Sequence, residues 1–325
     1  MFREDQIKKR DIDTLKRWVL HKFAANGSYM TAIKEMTKGN ILYRGVPWRE
    51  RPTFIRDVSY HPQPEEVKQN RMNRDNQPRF YCCAGPRPPA GRILNPAAAA
   101  PAVFYELRAK PGDRIAVSAW EVTAPLLMYN LGYHLRALQQ MGTQVQNISA
   151  RRKITNPIPN ETAANSTMHY RISKAFAVDV PKGKEYRYKQ SIAINEALAE
   201  FELLPPDGAH TAPSHSEIAG TAYPTLQMRG DADNVVLLPT FVDISLKIKS
   251  VNYVMVEHVN EATSEYRLLT IGFANTFADD EIKWWNEIGD DVDRRSSVSF
   301  TNGNWIVRDG CNRVIDLHKL FGILA

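Results

Sequence analysis

The chain has 325 residues, 43% hydrophobic and 24% charged, a balance that gives a globular protein with a sizeable core in one large or two modest domains. Its 42 Lys and Arg against 36 Asp and Glu leave a formal charge of +6, too mild and too scattered for the basic stripe of a nucleic-acid binder. No run approaches the roughly 18 apolar residues of a membrane-spanning helix, the charged start has no signal-peptide core, and Cys82, Cys83 and Cys311 form no disulfide framework, so a cytoplasmic protein is expected.

Residues 11–25 read as an amphipathic helix: Asp11 can cap it, Ile12, Leu15, Val19 and Phe23 recur at helical spacing, and Asn26-Gly27 is a stop. Lys16, Arg17 and Lys22 line the opposite face. Ile41-Leu42-Tyr43-Arg44 is a short strand before a turn at Gly45 and Pro47. From Tyr60 to Arg79 the chain is polar and broken by prolines, a loop over a site or surface. Phe80 to Ala84 is a second strand, on which Cys82 and Cys83 point to opposite sides. A helix runs from about Ala97 to Glu106, and Arg114 to Trp120 alternates as a strand. Pro125 to Met141 carries Leu126, Tyr129, Tyr133, Leu135 and Leu138 at the spacing of a buried helix.

Gly142 to Tyr188 is polar and aperiodic, and is expected to be an insertion or long surface loop. Gln190 to Leu204 is a helix that Pro205-Pro206 ends. Strands are expected at 220–223, 234–238, 242–248, 253–258 and 266–273, with a final hairpin over 298–308. Mixed elements without βαβ alternation predict an α+β fold. Three parts are expected: an N-terminal helical segment (1–40), a core (41–250) with insertions near 85–101 and 142–188, and C-terminal strands and a helix (251–325) packed on that core.

Familiar chemical signatures are absent. There is no GxGxxG after a strand, no GxxxxGK[ST], no GxSxG, no HExxH and no CxxC, which argues against a dinucleotide-binding dehydrogenase, a P-loop NTPase and a metal enzyme. His210 and His215 sit in a Pro-rich polar loop and read as solvated turn. Trp284-Trp285 is read as a buried aromatic anchor rather than a base-stacking pair.

Four segments carry more in combination: Leu42-Tyr43-Arg44-Gly45; Arg71-Met72-Asn73-Arg74 running to Phe80-Tyr81; Ala102-Val103-Phe104-Tyr105-Glu106-Leu107-Arg108; and Gly220-Thr221-Ala222-Tyr223-Pro224-Thr225, with Asp233-Asn234 beyond. In this order they resemble the RES-domain family over about residues 41–245. Thr225 stands where that family places Ser; it keeps the hydroxyl and adds a methyl that restricts χ1.

The resemblance implies an ADP-ribosyltransferase-like mixed β core with flanking helices and insertions, and an enzyme that consumes NAD+. It implies cleavage of the nicotinamide–ribose bond by a glycohydrolase or phosphorolase, acting as a bacterial toxin or phage-defence effector. Glu106, Arg71, Tyr81 and Thr225 would be the catalytic group, and Arg44, Tyr43, Asn73, Tyr223 and Asn234 the NAD+-binding group. A carboxylate favours the oxocarbenium-like state of glycosidic cleavage, paired Arg donors suit a diphosphate, and an aromatic ring suits the nicotinamide cation. No cofactor or metal is implied, NAD+ being the substrate. An antitoxin or regulatory protein and a homo-oligomer are the implied partners, with neither membrane nor nucleic acid. Two alternatives remain: an ADP-ribosyltransferase that modifies a macromolecule, and a non-catalytic nucleotide-binding module. Taken singly, Arg44 and Glu106 also read as an ion pair, and Tyr81 and Tyr223 as core aromatics.

Overall fold

The structure, a computed structural model, describes residues 2–25, 30–84, 99–132, 144–147, 152–154, 163–176, 180–181, 183–203, 218–225, 232–285, 294–301 and 304–315. Two helices open the chain, α1 (Glu4–Lys9) and α2 (Ile12–Ala25). Asp11 caps α2 as expected: its Oδ1 accepts from the Thr14 amide at 2.6 Å, satisfying one donor that the helix start leaves open. Leu15, Val19 and Phe23 bury the apolar stripe.

Then come β1 (Met30–Met36), β2 (Ile41–Pro47), β3 (Phe80–Ala84), α3 (Ala99–Glu106), β4 (Arg114–Val122), β5 (Leu126–Asn130), β6 (Gln144–Asn147) and β7 (Arg152–Ile154). They are followed by α4 (Ala163–Phe176), α5 (Tyr188–Leu203), β8 (Ile218–Pro224), β9 (Asp233–Leu237), α6 (Pro239–Ser245), β10 (Leu246–Asn260) and β11 (Glu265–Ala274). The last strands are β12 (Thr276–Ala278), β13 (Glu281–Lys283), β14 (Arg295–Thr301) and β15 (Asn304–Asp309). Among the described residues, one sheet of 13 strands runs in the order β15-β14-β11-β10-β4-β2-β3-β9-β8-β5-β1-β6-β7, with β12 and β13 a separate pair. Its pairings are antiparallel except β5 with β8. The fold is α+β, with a large, mostly antiparallel sheet and a few helices.

Side chains alternate across this sheet and build a core on each face. On the first face, α3 packs over Tyr43, Cys83, Val117 and Ala119, and α2, α4 and α5 pack over Tyr129, Tyr223 and Val236. On the second face, Leu42, Phe80, Cys82, Trp120 and Tyr253 pack with Val58 and Val242. Cys82 and Cys83 therefore lie on opposite faces, both buried and both free thiols.

Three expectations are corrected. Residues 126–130 are strand, because Leu126 and Met128 bury into one core and Leu127 and Tyr129 pack against the other, which a helix of one stripe cannot do. Tyr133, Leu135 and Leu138 lie outside the described residues. Residues 242–245 close a helix, α6, with Pro239 at its first turn where a missing amide costs nothing; the strand begins only at Leu246. The stretch 142–188 contains β6, β7 and α4, and Met168, Ile172 and Phe176 of α4 bury one stripe at a spacing of four. In addition, β2 continues through Gly45 to Pro47, β1 falls within the first 40 residues, and β10 runs through the division drawn at residue 250. The C-terminal helix expected in 251–325 lies outside the described residues, as do His210 and His215.

Candidate active site

The segment between β2 and β3 has little regular structure, yet residues 67–79 are tightly bonded. The Asn70 and Asn73 backbones exchange hydrogen bonds at 3.1 and 3.4 Å, and the Asn76 amide donates to the Val67 carbonyl. Asn73 is buried and donates through Nδ2 to the Lys68 and Arg74 carbonyls at 2.9 and 2.8 Å. Its Oδ1 accepts from the Tyr81 hydroxyl at 2.7 Å, and that hydroxyl accepts from the Met72 amide at 3.0 Å. Burial holds the Tyr81 phenol well above its ordinary pKa, so it stays a neutral donor. Tyr81 and Asn73 thus fix the loop that presents Arg71.

Arg71 lies between two aromatic rings. Its guanidinium carbon is 5.4 Å from the Tyr188 ring centroid and 5.6 Å from that of Tyr223, and Nη1 donates to the Phe176 carbonyl at 2.9 Å. The Ser191 hydroxyl, in the first turn of α5, donates to the Arg71 carbonyl at 2.6 Å. Arg71 is therefore held from three sides, by β8, α4 and α5. Tyr188 was missed at the sequence level; it lies at the end of the stretch read as a surface loop.

Tyr223 lies at the electrostatic centre of the group. Burial raises its phenol well above the ordinary value; Arg71 opposes the rise, and Tyr81, Glu106 and Cys83 add to it. The Cys83 thiol is likewise pushed well up, by burial first, then by Glu106, Cys82 and Asp233. It donates weakly to Asn234 Oδ1 at 3.7 Å and is no nucleophile.

Glu106 closes α3, a helix with no basic residue in its last turn. A carboxylate there faces the negative end of the helix dipole, a position that ordinary helix design avoids. A Schellman-type end follows: the Arg108 amide donates to the Tyr105 carbonyl, the Ala109 amide to the Phe104 carbonyl, and Arg108 takes φ 49°. That end leaves Glu106 exposed beside the Tyr223–Cys83 side of the sheet.

Of the predicted group, Arg71, Tyr81, Tyr223, Glu106, Asn73, Asn234 and Tyr43 share the first face. Thr225 follows β8, with its backbone amide on the Ala232 carbonyl at 2.9 Å. It is 0% exposed, and its hydroxyl has no hydrogen-bond partner among the described residues. Arg44 is the correction. Strand alternation sends it to the second face, where its guanidinium lies 5.2 Å from the Phe80 ring centroid. Its Nε donates to the Ser59 carbonyl at 3.0 Å and its Nη1 to the Tyr81 carbonyl at 2.7 Å. The reason is local: β2 pairs with β3 only at Leu42 and Tyr43, and Arg44 fills the split beyond them. Burial pulls its pKa down to about 10.

Trp284 and Trp285 divide between the two readings. Trp284 is half-buried with its Nε1 on the Pro52 carbonyl, whereas Trp285 is 48% exposed. Among the described residues, no cluster of three or more His, Cys, Asp or Glu is placed to hold a metal, and no helix is long and apolar enough to cross a membrane. No protein-family model, no curated protein and no solved structure matches this chain.

Proposed function

We propose that this chain cleaves the nicotinamide–ribose bond of NAD+, as a glycohydrolase or phosphorolase, on the sheet face that carries Arg71, Tyr223 and Glu106. The observation that supports it best is a guanidinium set between Tyr188 and Tyr223, on the sheet face where α3 ends at the exposed Glu106. In this reading Arg71 meets the diphosphate, the half-buried Tyr188 ring meets the planar nicotinamide, and Glu106 stabilises the positive charge that develops on the ribose. The RES-domain resemblance, an ADP-ribosyltransferase-like core and a role in NAD+ depletion by a toxin or defence effector belong to the same proposal. So does a cytoplasmic protein restrained by an antitoxin.

Two roles shift from the sequence expectation. Tyr81 uses its hydroxyl on Asn73 and Met72, so its part is to hold the Arg71 loop. Arg44 leaves the binding group for the opposite face. The test is nicotinamide release from NAD+ by purified protein, wild type beside Glu106→Ala. Release by wild type and a loss of about 100-fold or more in the variant are expected. No release by wild type, or equal release by both, overturns the proposal.

A second reading is favoured by Thr225, whose hydroxyl is buried and has no hydrogen-bond partner among the described residues. A non-catalytic nucleotide-binding module would bind NAD+ in calorimetry without turnover. Labelled NAD+ that leaves its ADP-ribose on a macromolecule in lysate would point instead to a transferase.

A further inference from the structure

Arg74 is not among the predicted site residues, yet among the described residues it makes ion pairs with two carboxylates, each through two hydrogen bonds. Its Nε and Nη2 donate to the two carboxylate oxygens of Glu196 at 2.7 and 2.6 Å. Its Nη1 and Nη2 donate to the two oxygens of Asp13 at 3.1 and 2.6 Å. Both edges of the fork are therefore filled in bidentate fashion, one by α5 and one by α2. The two helices already pack through Leu15, Ile192 and Ala193. Arg74 adds a third body, the loop that presents Arg71.

We propose that Arg74 is a positioning residue for the site, and that α2 governs the placement of Arg71 through it. This rests on the proposed function for its catalytic readout. The path is short. Arg74 follows Asn73, whose side chain bonds the Arg74 carbonyl and receives the Tyr81 hydroxyl. Arg71 lies three residues before Arg74, its carbonyl held by Ser191 of the same helix that supplies Glu196. The loop is thus tied inward to β3 by Tyr81 and outward to two helices by Arg74. Removing the outward tie leaves the Ser191 hydroxyl to hold the Arg71 carbonyl against α5, loosens the loop and its Met72–Tyr81 bond, and lets the Arg71 guanidinium shift from Tyr188.

An isolated exposed ion pair contributes little, and its loss leaves catalysis alone. Two bidentate pairs on one guanidinium, spanning three segments, differ in their consequence: misplacing a substrate-binding Arg by about an ångström weakens binding steeply. The experiment compares wild type with Arg74→Met and with Asp13→Asn, which keeps Arg74 and Glu196 paired. Three quantities are measured: the melting temperature, KM and kcat for NAD+, and amide hydrogen exchange at Met72 and at β4. Arg74→Met is expected to raise KM about tenfold with kcat changed less than about threefold. Exchange at Met72 is expected to rise about tenfold or more, with β4 unchanged. Asp13→Asn should give a smaller shift of the same kind.

A merely structural pair predicts a lower melting temperature with KM and Met72 exchange unchanged, and that result overturns the proposal. Exchange that rises equally at Met72 and β4 also overturns it. If wild type shows no NAD+ turnover, the proposed function fails, and Met72 exchange alone decides whether Arg74 clamps the loop.

Discussion

Arg44 carries its charge in the interior without a carboxylate partner among the described residues, and two backbone carbonyls and one ring hold it. The cost of desolvation is visible in the fall of its pKa to about 10. What offsets the cost is geometric. Where β2 leaves β3, the carbonyl of Tyr81 on the β2 side loses its ladder partner, and Nη1 replaces it. Arg44→Met should therefore leave the Tyr81 and Ser59 carbonyls without donors and cost about 2–4 kcal/mol, read as a shift in the urea midpoint. Arg44→Lys should rescue only part, since one ammonium lacks the planar fork. Nicotinamide release per folded molecule should survive both changes, because Arg44 faces away from Glu106 and Arg71; a loss as large as that of Glu106→Ala would return Arg44 to the site. Sequence order alone brought Arg44 and Glu106 into one group. Facing is set by strand parity, and parity separates them. Tyr81 and Asn73 could be grouped from the sequence because they are eight residues apart on one loop and strand, but their mutual hydrogen bond, which holds the Arg71 loop, could not be read there. Tyr188 was not, since its meeting with Arg71 spans more than a hundred residues of chain.

At the level of elements, the strand pair β8–β9 bears the weight of the site, for it carries Tyr223 and Asn234 opposite each other. Gly220 in β8 permits that pairing. A Cβ there would meet the Val236 carbonyl oxygen at 2.0 Å and its carbon at 2.9 Å, both backbone atoms that cannot swing aside. Gly220→Ala is expected to lower stability by roughly 1–3 kcal/mol through displacement of β8 from β9. Tyr223 and Arg71 should shift with it, so that a thermal melt and nicotinamide release decline together; a variant with wild-type stability would show that β8 can yield. α2, with a clean apolar stripe, and α5, with Ile192, Ile194, Ala197 and Leu198 buried, were readable as helices from the sequence. β5 was not, because Leu126-Leu127-Met128-Tyr129 is apolar on both faces and fits helix and strand alike. α6 was misread for the opposite reason: Phe241, Val242, Ile244 and Leu246 favour strand, yet Ile244 is 73% exposed and Pro239 starts a helix.

Across the whole molecule, the order of the sheet is the part that the sequence leaves hidden. β4 lies between β10 and β2, and β9 between β3 and β8; of these pairings β8–β9 joins neighbouring segments, while the others join distant stretches and follow from no local pattern. The N-terminal helices close this arrangement: α2 packs onto α5 through Leu15, Ile192 and Ala193, and polar contacts to the residues just before α5 and to Arg74 flank that apolar seam. Glu4 receives the Tyr186 hydroxyl at 2.6 Å and Arg187 at 2.9 Å, and Asp13 receives Arg74. These contacts, and the hydrogen bonds that Asp11 accepts from Thr14 as it caps α2, hold the three carboxyls below their usual values of 4.5, 3.8 and 3.8 for Glu4, Asp11 and Asp13. A carboxyl whose pKa is depressed on folding stabilises the fold above its unfolded pKa, and that contribution disappears as pH falls through the folded value. The sheet core has no such dependence on these groups, so acid should loosen the helical end first. Between about pH 5 and about pH 3 the melting temperature of wild type should fall, and that of Asp13→Asn should fall less, since the asparagine has no proton left to take up. Hydrogen exchange over the same range should rise in α2 and at Met72 before it rises in β4 and β10. Simultaneous loss of protection in α2 and β4 would mean that the helices and the sheet open as one unit, and that no separate element stands ready to control Arg71.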